Sequence, residues 1–119
     1  MGKTDIIYIY HIRDSINKIV TYTTSVIEPD FKSNSMIQDA VIRQIEIMGE
    51  ASSKLSKSFR ERYNKIPWKN IIGMRNKLIH DYFGVDISAV WETVKNDIPK
   101  LKNEIEELIT NFDQQINFK

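Results

Sequence analysis

The sequence predicts an all-α protein, an up-and-down four-helix bundle with one additional short helix, and three observations carry that expectation. Apolar residues recur at spacings of three and four through most of the chain. No segment shows the apolar-polar alternation of a half-buried strand. The 4 glycines and 3 prolines stand where other signals also end a helix. Helices of this length joined by short loops pack antiparallel, and 119 residues suffice for one domain, residues 1–119, with a single core.

The first helix is expected from about Thr4 to Val26, with Ile6, Ile9, Ile16, Val20 and Ile27 on one stripe that also carries Arg13. Glu28-Pro29-Asp30 ends it. The second starts near Ser33 to Ser35 and places Ile37, Val41, Ile45, Met48, Leu55 and Phe59 on one face, with Ser52 filling the gap, before fading into the charged segment Arg60 to Lys65. Pro67 suits the first turn of a third helix, where its missing N–H costs nothing, and Gly84 suits its exit, so Trp68 to Phe83 forms one unit. Asp86 or Ser88 then caps a short fourth helix, Ala89 to Asn96, which breaks before Pro99 because a residue preceding proline avoids helical torsion angles. The last helix carries the stripe Ile98, Leu101, Ile105, Leu108, Phe112 and Ile116, with Lys100, Lys102, Glu104, Glu106 and Glu107 mostly off it.

Composition narrows the function. The absence of cysteine excludes a disulfide framework, a thiolate nucleophile and cysteine zinc sites, and fits a reducing compartment, so a cytoplasmic location is expected. The opening segment is interrupted by Lys3, Asp5, His11, Arg13 and Asp14, which argues against a secretory leader or a membrane span and for a soluble protein. A net charge of +1 does not announce a nucleic-acid binder, and such binding must come from a local cluster. Lys54, Lys57, Arg60, Arg62, Lys65, Lys69, Arg75 and Lys77 form one, although charge alone reads it as a solvated helix end and loop.

The segment Arg75-Asn76-Lys77-Leu78-Ile79-His80-Asp81-Tyr82 is where chemistry concentrates. On a helix turning about 100° per residue, Arg75 and Tyr82 share a face, whereas His80 lies roughly 140° from Arg75 and nearly aligns with Asn76. Arg75 and His80 therefore meet at a helix edge through their side chains, or across a two-fold axis that brings a second copy of the helix alongside. Such a set suits phosphodiester cleavage: histidine moves protons near neutral pH, and arginine offers a permanent fork of donors to phosphate oxygens that gain charge. With one such histidine per chain, separate acid and base roles need both subunits of a homodimer. Asn76 can orient the histidine or donate to phosphate. Asp81 is expected in solvent or paired with Lys77. A purely structural account also exists, since the helix dipole favours a histidine near a C-terminus and an Arg-Tyr pair can be an interhelical contact.

Elsewhere the residues read as structural. His11 is expected at the surface or in packing, and no carboxylate-histidine spacing accompanies it, so neither a metal nor a cofactor is expected. Glu50 reads as a partly exposed helix carboxylate rather than a buried partner for Arg75 or Arg43. Gly49 and Ala51 let helices approach closely. Trp68 and Trp91 read as core or interface aromatics.

The ordered set Arg75, His80 and Tyr82, spaced as arginine, four residues, histidine, one residue, tyrosine, resembles the signature of the HepT-type HEPN family, the toxins of HepT–MntA toxin-antitoxin modules. Gln38-Asp39-Ala40-Val41-Ile42-Arg43, Gly49-Glu50-Ala51, Ile66-Pro67-Trp68 and His80-Asp81-Tyr82-Phe83-Gly84-Val85-Asp86 add to the likeness, which covers about Asp5 to Leu108. The resemblance implies a helical bundle that dimerises with the motif helices facing each other and acts as a metal-independent endoribonuclease at that cleft. It further implies Arg75 and His80 as the catalytic pair with Asn76 in support. Cleavage would then proceed by attack of the ribose 2′-hydroxyl on its own phosphate. Tyr82 matches the tyrosine that a nucleotidyltransferase antitoxin, MntA-like, modifies with AMP, and an adenylate there would occupy the phosphate site and repel RNA. The alternative reading is a non-catalytic HEPN module that binds nucleotide or forms a structural complex with a nucleotidyltransferase.

Overall fold

The computed structural model describes residues 3–80 and 86–117, with side chains for 4–76 and 86–114. Seven α-helices follow one another among these residues: α1 Lys3–Thr23, α2 Glu28–Ser33, α3 Ser35–Ser53, α4 Lys57–Arg62, α5 Trp68–His80, α6 Ile87–Glu92 and α7 Ile98–Asn117. The all-helical expectation holds. Four long helices carry the bundle, and among the described residues three short ones, rather than one, connect them. The expected ends at Phe83 and Gly84 lie outside the described residues, as do Asp81 and Tyr82.

Proline explains two departures from the expected boundaries. Glu28-Pro29-Asp30 does not merely stop α1, which ends at Thr23 before Ser25 in a left-handed conformation (φ 64°); it opens α2. Pro29 occupies the first turn, where no N–H is required, and Glu28 and Asp30 favour the positive end of the helix dipole. The predicted break before Pro99 is likewise absent. Thr93–Asp97 form a π-turn in which the Ile98 N–H donates to the Thr93 carbonyl five residues back. This wider turn carries the chain from α6 into α7 with helical torsion angles on both sides, and Pro99 falls in the first turn of α7.

Side-chain caps set the starts of α3, α4 and α6. Asn34 accepts from the Ile37 N–H at 3.1 Å to start α3, and Asp86 accepts from the Ser88 and Ala89 N–H groups at 3.0 and 3.3 Å to start α6. The stripe expected to run unbroken from Ile37 to Phe59 is divided at Lys54–Ser56. There Ser56 caps α4 by accepting from the Phe59 N–H at 3.2 Å, and the buried Asp5 carboxylate of α1 accepts from both the Ser56 N–H and its hydroxyl at 2.8 Å. Leu55 and Phe59 remain buried across the break, so the apolar pattern survives although the helix does not.

The core is formed by Ile9, Ile12, Ile16 and Ile19 of α1, Val41, Ile45 and Met48 of α3, Trp68 and Ile71 of α5, and Ile98, Leu101, Ile105 and Leu108 of α7. The α1 stripe is thus turned slightly from the expected one: Ile12 and Ile19 are inside, Ile6 is half-buried, and Val20 and Ile27 are exposed. Trp91 packs on the fully buried Phe31 with ring centres 5.0 Å apart, and Trp68 donates its indole N–H to the Tyr63 carbonyl at 3.2 Å, so both tryptophans are core residues as expected. α3 packs against α1 on one side and α5 on the other, while α1 also packs on α7. α1 and α3 run antiparallel, tied at one end by Asp5 and Ser56. Among the described residues no helix is long and apolar enough to cross a membrane.

Candidate functional site

The position of Arg75 is fixed by an absence of side chain opposite it. Gly49, near the C-terminal end of α3, faces α5 so closely that a Cβ placed there would overlap the Arg75 Cβ, stand 2.7 Å from its Cγ and 3.2 Å from the Ile71 carbonyl oxygen. The expectation that Gly49 lets helices approach is met, and the residue it admits is the motif arginine. From this contact the Arg75 side chain runs out to the surface with 30% of its area exposed.

Two side chains then receive the guanidinium. Nη2 lies 2.7 Å from Oε2 of Glu50, and Nη1 donates to Oδ1 of Asn76 at 2.8 Å. Glu50 is 45% exposed, so it is the partly solvated carboxylate that was expected, and it is also the partner of Arg75, which was not. Lys54 approaches the other oxygen of Glu50 at 3.5 Å. In water such pairs contribute under about 1 kcal/mol each. Their effect here is geometric: the fork of Arg75 is held at the surface, one edge on a carboxylate that a phosphate can replace.

Arg75 forms one wall of an open groove of about 490 Å³ over the outer face of α3, lined also by Tyr8, His11, Arg43, Glu46, Ile47, Glu50, Ala51 and Lys54. His11, expected at the surface or in packing, is exposed and belongs to this groove. Its ring meets Tyr8 edge to face at 6.1 Å. Sequence spacing contained part of this signal, since Arg43, Ile47, Glu50 and Lys54 recur every three or four residues, but not that α1 would lie beside them.

The remaining motif residues are less completely placed. Asn76 is exposed and touches Arg75. His80 ends α5, seven residues after Gly73 and four after Asn76 and so near their line on the helix; its side chain lies outside the described residues, and so does all of Tyr82. Gly73 is exposed, and a Cβ there would meet nothing within 4 Å, so this line of α5 is open among the described residues. Lys57, Arg62 and Lys65 of α4 and the following turn are exposed as charge suggested, with Lys57 3.8 Å from Glu61, while Arg60 is half-buried.

A model of the family described as "Ribonuclease HepT-like" matches residues 12–108, a span that contains Gly49, Glu50, Arg75, Asn76 and His80 together. The chain belongs to the HepT-like ribonuclease family. The family's description is that of a ribonuclease, a hydrolase acting on RNA, which agrees with the expectation of an enzyme whose substrate is RNA. Over all 119 residues the chain is 50% identical to a Methanocaldococcus jannaschii protein named "Gamma-glutamylcyclotransferase and putative RNase", of which it spans 54%. A "Putative RNase" of the same organism is 44% identical over 107 residues, 89% of this chain and 98% of that protein. The "Probable ribonuclease HepT" of Thermococcus cleftensis is 44% identical over 101 residues, 85% and 92% of the two chains. The chain thus spans about half of the first relative and nearly all of the other two. No solved structure matches it significantly.

Proposed function

We propose that this HepT-like chain is the toxin of a toxin-antitoxin pair, a homodimeric endoribonuclease that works without a metal and is silenced when a nucleotidyltransferase antitoxin attaches AMP to Tyr82. The observation that carries the catalytic part is the guanidinium of Arg75, held at the mouth of an open groove by Glu50 at 2.7 Å and Asn76 at 2.8 Å. A phosphodiester presents the same paired oxygens as Glu50 and takes its place, so that Arg75 stabilises the charge developing on the non-bridging phosphate oxygens. The ribose 2′-oxygen attacks phosphorus and loses its proton while the P–O5′ bond breaks and O5′ gains one; the products are a 2′,3′-cyclic phosphate and a 5′-hydroxyl. His80 of one copy moves one proton and His80 of the second moves the other. The exposed Gly73 and Asn76, on the helix line where His80 follows four residues later, support a second copy on that face.

Cleavage of RNA by purified protein in EDTA, compared with Arg75→Ala and His80→Ala, tests the reading. Both variants lose cleavage while retaining the parent's oligomeric state and helicity; equal cleavage by parent and variants refutes it. Intact mass after expression with and without an MntA-like nucleotidyltransferase tests silencing: AMP increments map to Tyr82, and Tyr82→Phe stays toxic beside the antitoxin. Absence of cleavage by unmodified parent, with retained nucleotide or partner binding, assigns the chain instead to the non-catalytic modules.

A further inference from the structure

We propose that the groove along the outer face of α3, bounded by Tyr8 and His11 of α1 and by Arg75 of α5, is a track for single-stranded RNA that holds the nucleotides flanking the phosphate at Arg75. The inference rests on the ribonuclease reading and assigns roles to residues outside the motif.

Three features of the groove fit that ligand. Arg43, Glu50 and Lys54 share one line of α3, and at 1.5 Å per residue the two cations stand about 16 Å apart along the helix axis, with Arg75 beside the line at Glu50. This spacing is longer than one nucleotide. Next, the half-buried Tyr8 and the exposed His11 put two aromatic rings, packed edge to face, into the wall of the groove, and aromatic rings are what single-strand binders stack bases on. Last, the cations are weakly committed. Arg43 is 69% exposed and 3.7 Å from Glu46, and Lys54 is 51% exposed and 3.5 Å from Glu50. Exposed pairs of this length contribute little, so phosphates displace the carboxylates at small cost. An acidic peptide would meet the same cations but leave the rings unused.

The test measures affinity for a labelled single-stranded RNA of about a dozen nucleotides across a salt series, in a His80→Ala background so that the RNA stays intact. Removing two phosphate contacts by Arg43→Ala with Lys54→Ala lowers the slope of log affinity against log salt by about 1.4. Tyr8→Ala with His11→Ala removes two stacking surfaces and weakens binding about thirtyfold with less change in slope. Since Tyr8 is half-buried, Arg43→Glu serves as a variant confined to an exposed side chain, and it weakens binding about tenfold. Affinity and slope within twofold of the parent in all three overturn the track, as does a parent that binds no RNA. Cleavage is read separately. A parent that cuts RNA while every groove variant binds as the parent does refutes the track alone. A parent that binds through the groove but cuts nothing refutes the ribonuclease reading alone.

Discussion

Replacing Gly49 by alanine separates two opposing effects whose sizes the structure sets. An alanine inside a helix is favoured over glycine by about 1 kcal/mol, so in an unobstructed site Gly49→Ala would stabilise the protein. Here the added carbon overlaps the Arg75 Cβ and meets Cγ at 2.7 Å and the Ile71 carbonyl oxygen at 3.2 Å. Neither a Cβ nor a backbone carbonyl can swing aside, so α3 and α5 must separate. Overpacking of this kind costs roughly 1–3 kcal/mol, and rigid obstacles place it in the upper part of that range. The net effect is a loss of about 2 kcal/mol. At about 4 °C per kcal/mol for a domain of this size, the melting temperature falls by about 8 °C. Thermal and urea unfolding followed by circular dichroism measures this directly, and RNA cleavage by the folded protein falls further because the guanidinium moves with the helix. A melting temperature at or above the parent's refutes the close approach.

Other substitutions probe separate contacts. Asp5→Ala leaves the Ser56 N–H and hydroxyl without their carboxylate and costs about 1–3 kcal/mol in urea unfolding; a change under a few tenths contradicts the assigned tie. Ser52 is fully buried, and among the described residues its hydroxyl has no partner, so Ser52→Ala raises stability by about 1 kcal/mol, and a loss of that size argues for a hidden bond. Glu50→Gln changes stability by under about 1 kcal/mol because the pair is half in solvent, yet it takes the charge from the partner of Arg75 and so weakens its hold on the guanidinium. Cleavage assays should show a shift in KM for RNA, and an unchanged KM removes Glu50 from the site.

Much of the architecture was legible because burial leaves a helical period in the sequence. The α7 stripe from Ile98 to Leu108 and the α3 stripe from Val41 to Met48 are inside as the spacing requires. Boundaries were harder where one residue type serves two purposes. Pro29 and Pro99 read as terminators, but each sits in a first turn, and the π-turn before Pro99 depends on a bond that spacing does not encode. The division at Ser56 depends on Asp5, fifty-one residues away, and no local pattern announces a cap supplied from another helix. The same limit applies to the site. Arg75 and Asn76 stand out locally, whereas the Glu50 pairing and the groove's Tyr8–His11 wall arise only when α1, α3 and α5 are brought together.

The contact between Gly49 and Arg75 also has an entropic side. A free arginine carries roughly 2 kcal/mol of rotamer entropy, which a surface arginine gives up each time it binds an anion. Here the first bonds of the side chain are wedged against the α3 backbone, and its far end is held by Glu50 and Asn76. That ordering is completed once, when the chain folds. In the ribonuclease proposed above, an arriving phosphate would therefore exchange places with a carboxylate without having to immobilise the arginine, and ligands would be sorted by how well they fit a fork that is already aimed.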